Sequence, residues 1–129
     1  MGLVDLEVTL TEQEQAIRNT ARRFAQDVLR PVGAQLDRLE DPAAVIERQS
    51  VLWDVFKKYW ELQLDVLESS SSELSPAEHA RLRFLTAEEL GWGDAGLAIC
   101  LGVSTFHKMF AQMSGRPALM ERFGSPENQ

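Results

Sequence analysis

Two capping boxes determine where helices begin in this chain. Thr11 is followed three residues later by Glu14, and Ser75 is followed by Pro76 and then by Glu78. In this pattern the hydroxyl accepts a hydrogen bond from the first helical turn, the glutamate bonds back to the cap, and proline suits the first helical position. We therefore predict that helices start at residues 12 and 76.

The apolar residues after each capping box recur at the three- and four-residue spacing of an amphipathic helix. The first series is Ala16, Ile17, Ala21, Phe24, Ala25, Val28 and Leu29, and the second is Leu82, Phe84, Leu85, Ala87 and Leu90. Pro31 lacks a backbone donor, so we expect the first helix to kink near Arg30 and to resume up to residue 41.

Two further helices are predicted from apolar spacing. One runs from Pro42 to about Leu64, and the polar tract Ser69–Ser72 after it favours a loop. The other runs from about Ala95 to Met113 and is apolar around most of its circumference, which predicts a helix covered by protein on several sides.

Glycines separate the later helices. Gly91 or Gly93 is expected to take the left-handed conformation of a helix end, and Asp94 to cap the next helix. Gly115 should end that helix before a short last helix over residues 117–123. No strand-like alternation appears, so we predict an all-α bundle of about five to six helices, one domain spanning residues 1–129.

Composition excludes several classes of function. The net charge is −7 and no dense run of Lys or Arg occurs, which argues against a nucleic acid or an anionic membrane as partner. No segment approaches the roughly 20 apolar residues that cross a bilayer, and Asp5 and Glu7 lie where a signal peptide would be positive. We therefore expect a cytoplasmic protein.

No local motif predicts catalysis. Cys100 is the only cysteine and is expected to be a buried small apolar residue; His79 and His107 lack ligand spacing, so no metal site is predicted. His107 is expected on a helix surface or a pocket wall. Glu88 and Glu89 point about 100° apart on a helix, which predicts an exposed acid beside a half-buried one rather than an acid–base pair.

The two pairs of adjacent basic residues do not indicate a binding site. Arg22–Arg23 and Lys57–Lys58 are expected to be solvated helix faces, with acids such as Asp27 or Glu61 as partners at helical spacing.

Three stretches resemble, in family order, the N-terminal helical domain of flavin-dependent acyl-CoA dehydrogenases. They are AEELGWGDAGLAI at 87–99, LTEQEQAIR leading to FA and LRPV within 10–32, and RFGSPE at 122–127. The resemblance covers most of the chain except about residues 40–86. It departs from the family where ESSSSE at 68–73 replaces a glycine-rich loop that lies near the substrate entrance.

The resemblance implies a subunit of three domains, with a middle β-domain that holds FAD and a C-terminal bundle that supplies a glutamate base. The chain matches the first domain only and ends at Gln129, so no catalytic residue is expected here, and FAD only if partner domains complete the enzyme. The helix matching Ala95–Met113 would run beside the acyl chain of acyl-CoA. This implies an acyl-pocket wall formed by Ala98, Ile99, Gly102 and Phe106.

The spacing of these residues is compatible with two roles. Ala98, Gly102 and Phe106 recur every four residues on one helix face, where small side chains either leave a groove for an apolar ligand or allow close helix packing. The chain is accordingly expected to be part of a dehydrogenase-type enzyme, or else a non-catalytic module that binds a hydrophobic ligand or a protein partner. An uncovered apolar helix also favours self-association, for instance as a homodimer.

Overall fold

The computed structural model describes residues 9–64 and 74–123, and all regular elements within these ranges are helical. The elements are α1 (Glu12–Phe24), a π-helical segment (Ala25–Leu29), α2 (Arg30–Leu36), a 3-10 helix (Pro42–Ile46), α3 (Leu52–Glu61), α4 (Pro76–Gly93), α5 (Ala95–Val103), α6 (Phe106–Ser114) and α7 (Pro117–Phe123). The predicted all-α bundle is confirmed. The loop predicted at Ser69–Ser72 and the stretch after residue 123 lie outside the described residues.

Both capping boxes form as predicted. The Thr11 hydroxyl accepts from the Glu14 N–H at 3.2 Å, and the Thr11 N–H donates to the Glu14 carboxylate at 2.8 Å. At α4 the Ser75 hydroxyl and the Ser75 N–H both donate to Glu78, at 2.6 and 2.9 Å. Because these two bonds favour the charged form, they lower the pKa of Glu78 from its ordinary value.

Where a kink was expected near Arg30, the helix contains a π-helical turn, Ala25–Leu29. The Arg30 N–H bonds to the Ala25 carbonyl, five residues back, and the backbone stays helical through Leu36. The predicted end near residue 41 is therefore wrong, because the chain leaves the helix after Leu36. Pro31 has no N–H, and in a regular α-helix its ring would collide with the Asp27 carbonyl. The wider turn lets the chain pass the proline without breaking the helix.

The helix predicted from Pro42 to about Leu64 is wrong as a single element. A 3-10 helix ends at Ile46, Glu47 is extended, and α3 starts only at Leu52, whose N–H bonds to the Ser50 hydroxyl at 3.2 Å. The Trp53 indole N–H also donates to the Glu47 carbonyl at 2.7 Å. These side chain–backbone bonds compete with a continuous helix, which the apolar spacing could not indicate.

The helix predicted over Ala95–Met113 is also divided. It ends at Val103, where the Ser104 hydroxyl donates to the Leu101 carbonyl at 2.6 Å and the Thr105 hydroxyl to the Gly102 carbonyl at 3.0 Å. These bonds occupy carbonyls that a continuing helix would use. The left-handed conformation expected at Gly91 or Gly93 is absent there; α4 continues through both, and among the described glycines Gly115 alone has a positive φ, 62°.

The core lies where α1, α3, α4 and α5 meet. Its most deeply buried large side chains are Leu29, Val55, Tyr59 and Leu101. The rings of Phe24 and Tyr59 pack with centroids 6.1 Å apart. Within the described ranges, no helix is both long and apolar enough to cross a bilayer.

Candidate functional site

Helices α1 and α4 run side by side in the same direction, joined by ion pairs. Near their starts Arg81 of α4 lies 2.9 Å from Glu14 of α1. Further along, Arg18 and Arg22 of α1 both reach Glu89 of α4, at 2.9 and 2.8 Å. The two carboxylates are buried, whereas the guanidinium groups remain partly exposed, so the acids are desolvated but fully paired.

The interpretation of Arg22 as a solvated side chain is therefore wrong. Besides its bond to Glu89, its guanidinium lies 3.4 Å from the centroid of the Trp92 ring, and that of Arg30 lies 4.4 Å from the same centroid. Glu89 is 3% exposed, so it is buried rather than half-buried. A partner 67 residues away in sequence cannot be found from helical spacing, which sees only neighbours three and four residues apart.

At the end of α4 two glycines, Gly93 of α4 and Gly33 of α2, allow close contacts between neighbouring segments. A Cβ on Gly93 would lie 2.7 Å from the Ala25 Cβ, and a Cβ on Gly33 would collide with the Asp94 carboxylate. Asp94 in turn caps α5 by accepting from the Leu97 N–H at 2.8 Å, as predicted. Two of the stretches that carry the family resemblance, 10–32 and 87–99, thus pack directly on each other.

Beside this junction α4 and α5 enclose an open groove of about 610 Å³, called here the α4–α5 groove. Its α5 wall consists of Ala95, Ala98, Ile99 and Gly102, and its α4 wall of Ala80, Arg83, Phe84, Thr86, Ala87, Leu90 and Gly91. Leu64 also lines the groove. The space exists because small residues face each other across the two helices. A Cβ on Gly91 or on Gly102 would meet no atom within 4 Å.

The structure brings three of the four sequence-derived pocket residues together. Ala98, Ile99 and Gly102 line the α4–α5 groove. Phe106 is not among its lining residues, because the chain turns at residues 104–105 and Phe106 begins α6, where its ring packs edge-on against Phe110 at 6.1 Å. The expectation that Phe106 continues the face of Ala98 and Gly102 along one helix therefore fails.

The polar residues of the groove, Arg83 and Thr86, were not predicted from the sequence. Arg83 is exposed at the wall, and the Thr86 hydroxyl is buried without a hydrogen-bond partner among the described residues. The small residues Ala80, Ala87 and Gly91 recur on α4 at seven- and four-residue spacing. That pattern, parallel to the one on α5, is the signal that could have indicated the α4 wall and, with it, Arg83 and Thr86.

A second, smaller cavity of about 310 Å³ lies between α3 and the start of α6. It is called here the aromatic cleft and is lined by Trp53, Phe56, Trp60, Ser104, Thr105, His107 and Lys108. His107 was expected on a helix surface or a pocket wall, and it lies in this wall.

Cys100 and the potential metal-binding side chains of the described residues do not come together in a site. Cys100 is exposed, so its expected burial is wrong: Leu97 and Leu101 occupy the buried face of α5, and Cys100 lies off that face. In the described ranges no three His, Cys, Asp or Glu side chains come together as a metal site. The described residues thus define a helical bundle with an apolar groove and an aromatic cleft.

Comparisons with protein-family models, with curated proteins and with solved structures found no match to this chain.

Proposed function

We propose that the chain is the helical part of a flavin-dependent acyl-CoA dehydrogenase-type oxidoreductase, and that the α4–α5 groove forms one wall of its acyl-substrate pocket. The observation that carries the proposal is the groove itself, an apolar channel between two helices with small side chains on both walls. Its volume of about 610 Å³ falls within the range of small-molecule sites.

The walls of the groove suit a flexible apolar chain. Ala87, Ala98 and Gly102 leave the channel open, while Phe84 and Ile99 are 67% and 66% exposed at its sides. Burial of one CH₂ group contributes about 0.8 kcal/mol, or roughly a fourfold change in Kd. Affinity should therefore rise with acyl length until the groove is full.

Two polar groups would orient such a ligand. Arg83 offers an exposed guanidinium, which forms no ion pair with any acid in the described ranges. Thr86 offers a buried hydroxyl with no hydrogen-bond partner in the described ranges. A ligand with an apolar tail and a carbonyl or anionic head could satisfy both groups.

The groove does not fit a flavin by itself. A flavin ring needs hydrogen bonds to its ring nitrogens, and the groove offers one guanidinium and one hydroxyl among otherwise apolar side chains. FAD, together with the catalytic base, would therefore belong to a partner domain or chain, and no reaction step is assigned to residues of this one.

Gly102 provides the direct test of the groove. In a titration with butyryl-, octanoyl- and dodecanoyl-CoA, Gly102→Leu should weaken binding of the longest chain about tenfold, equivalent to about two lost CH₂ contacts. Gly102→Ala is the matched control, because its Cβ enters open space. If Gly102→Leu and Gly102→Ala bind dodecanoyl-CoA equally well, the groove is not the acyl site.

An alternative function has its own observation in its favour. Ile99, Phe110 and Met113 on α5 and α6 are 66%, 59% and 75% exposed, an apolar surface of the kind that binds a protein partner or a second copy. The two functions differ in what the purified native species contains. A yellow complex heavier than the chain supports the dehydrogenase; a colourless species of this chain alone, as monomer or homodimer, supports a non-catalytic module.

A further inference from the structure

The aromatic side chains of α3 form a continuous wall. Trp53, Phe56 and Trp60 recur at three- and four-residue spacing on one face, with ring centroids 6.0 Å apart for the first pair and 5.8 Å for the second. The Trp53 indole is held in place by its bond to the Glu47 carbonyl. Such a wall presents ring faces and edges on which another flat ring can pack.

The opposite wall carries the polar groups. The Ser104 and Thr105 hydroxyls donate their hydrogens to the Leu101 and Gly102 carbonyls, so they are not available as donors to a ligand. Lys108 and His107 also line this wall. The Nε2 atom of His107 is buried and has no hydrogen-bond partner in the part of the chain described. A ligand that bonds to this atom would remove the cost of leaving it unpaired.

The charge of the aromatic cleft is opposite to that of the whole chain. Among the described residues no acidic side chain lines it, and the sequence has no Asp or Glu between Asp94 and Glu121, although the chain carries a net charge of −7. Lys108 therefore favours a negative group at this wall. The volume of about 310 Å³ is at the lower end for ligand sites and suits one or two fused rings better than a long acyl chain.

We propose that the aromatic cleft is a second binding site, which takes a flat aromatic group bearing a negative charge. The ring packs against Trp53, Phe56 and Trp60, and the anion lies at Lys108 and His107. The site is independent of the acyl proposal, which concerns the α4–α5 groove. The same chemistry occurs in an aryl carboxylate and in a nucleotide, and the experiment separates these two sources.

The three tryptophans make the test internally controlled. The isolated chain, labelled with ¹⁵N, is titrated with 2-naphthoate or with AMP while the indole N–H signals are followed by NMR. Signals of Trp53 and Trp60 should shift, whereas Trp92, which lines neither cavity and packs under Arg22 and Arg30, should not. The probe with the lower Kd identifies the source as an aryl acid or a nucleotide.

Two further ligands test the charge and the ring separately. The neutral 2-naphthamide should bind about two- to fivefold more weakly than 2-naphthoate, the range expected for a partly exposed ion pair. Decanoate, which has the charge without the ring, should leave Trp53 and Trp60 unshifted. Acyl binding in the groove can thus fail or succeed without affecting this result.

Variants then locate the anion. Lys108→Gln should weaken 2-naphthoate about two- to fivefold and leave 2-naphthamide unchanged. Lys58→Gln, the same change on the exposed side of α3 and outside the cleft, should have no effect. The proposal is overturned if neither anionic probe shifts Trp53 and Trp60, if all three indoles shift together, or if the two lysine variants behave alike.

Discussion

The α1–α4 interface buries its large apolar side chains, whereas the α5–α6 surface leaves many of its own exposed. At the interface, Phe24 and Leu29 are 2% and 0% exposed, and buried acids are paired with arginines. On the surface, Phe110 and Met113 are 59% and 75% exposed. Apolar composition alone therefore does not determine burial. Specific polar partners and close glycine contacts fix the first region, whereas the second leaves apolar side chains exposed.

Charge follows the same division. Glu14 and Glu89 lie between α1 and α4, whereas residues 95–120 contain no acid and two bases, Lys108 and Arg116. Both cavities have walls in the helices on the acid-free side. Ligand binding is thus expected to depend on the second region and folding stability on the first.

The largest contrast should come from truncating one apolar side chain in each region. Leu29→Ala removes a fully buried side chain and should lower the free energy of unfolding by about 2–5 kcal/mol. Phe110→Ala should change it by less than about 0.5 kcal/mol, because the ring is mostly exposed. Urea unfolding followed by circular dichroism measures both. A comparable loss in Phe110→Ala would mean that a second copy covers α6, and the loss would then depend on protein concentration.

The ion-pair network should give the next largest effect. Glu89→Gln keeps the shape but removes the charge that two arginines share, and we expect a loss of about 2 kcal/mol, limited by the partial exposure of those arginines. Glu88→Gln, on the adjacent position outside these pairs, is the control and should be within about 0.5 kcal/mol of the parent. Equal thermal unfolding midpoints for the two variants would show that the ion-pair network does not stabilise the fold.

Glycine substitutions should have opposite signs in the two regions. Gly93→Ala places a Cβ 2.7 Å from the Ala25 Cβ and must push α4 away from the first helix, at a cost of about 1–2 kcal/mol. Gly102→Ala meets open space within α5 and should stabilise by up to about 1 kcal/mol through helix propensity. The comparison fails if both substitutions shift the urea midpoint in the same direction.

The smallest effect concerns pH at the start of α4. The bonds from Ser75 lower the pKa of Glu78 below 4.5, so their contribution is present above that pH and is lost as pH falls through the lower folded pKa. A ¹³C carboxyl titration should place the pKa of Glu78 below its ordinary value. Ser75→Ala removes the hydroxyl bond but keeps the backbone N–H bond, so it should raise that pKa only part of the way back. Unchanged titration of Glu78 in Ser75→Ala would show that the Ser75 hydroxyl bond is not a cause of the lowered pKa.

Local signals predicted local structure well. The starts of α1 and α4, the Asp94 cap, the Gly115 end and the short last helix all follow from bonds between residues close in sequence. Apolar spacing predicted two long helices, and each is divided in the structure. The breaks lie at residues 47–51 and 104–105, where serine or threonine hydroxyls bond to the backbone. Apolar periodicity does not register such bonds.

The candidate site was only partly predictable for the same reason. Ala98, Ile99 and Gly102 were identified from spacing on one helix and from the family resemblance, and they line one groove. Arg83 and Thr86 come from the other helix, and Phe106 is redirected by the turn before it. A groove forms between two helices, and the residue spacing on one helix does not show which residues of the other helix will face it.

By itself the sequence determined the helical class and the positions of the capped helix starts, because capping and periodicity are short-range properties of the chain. Only the tertiary structure decided that Glu89 is buried between two arginines, that Cys100 and Phe110 are exposed, and that small residues on α4 and α5 face each other across an open groove. Burial and pairing of this kind depend on which helix packs against which, and that choice is made by contacts between residues far apart in the chain.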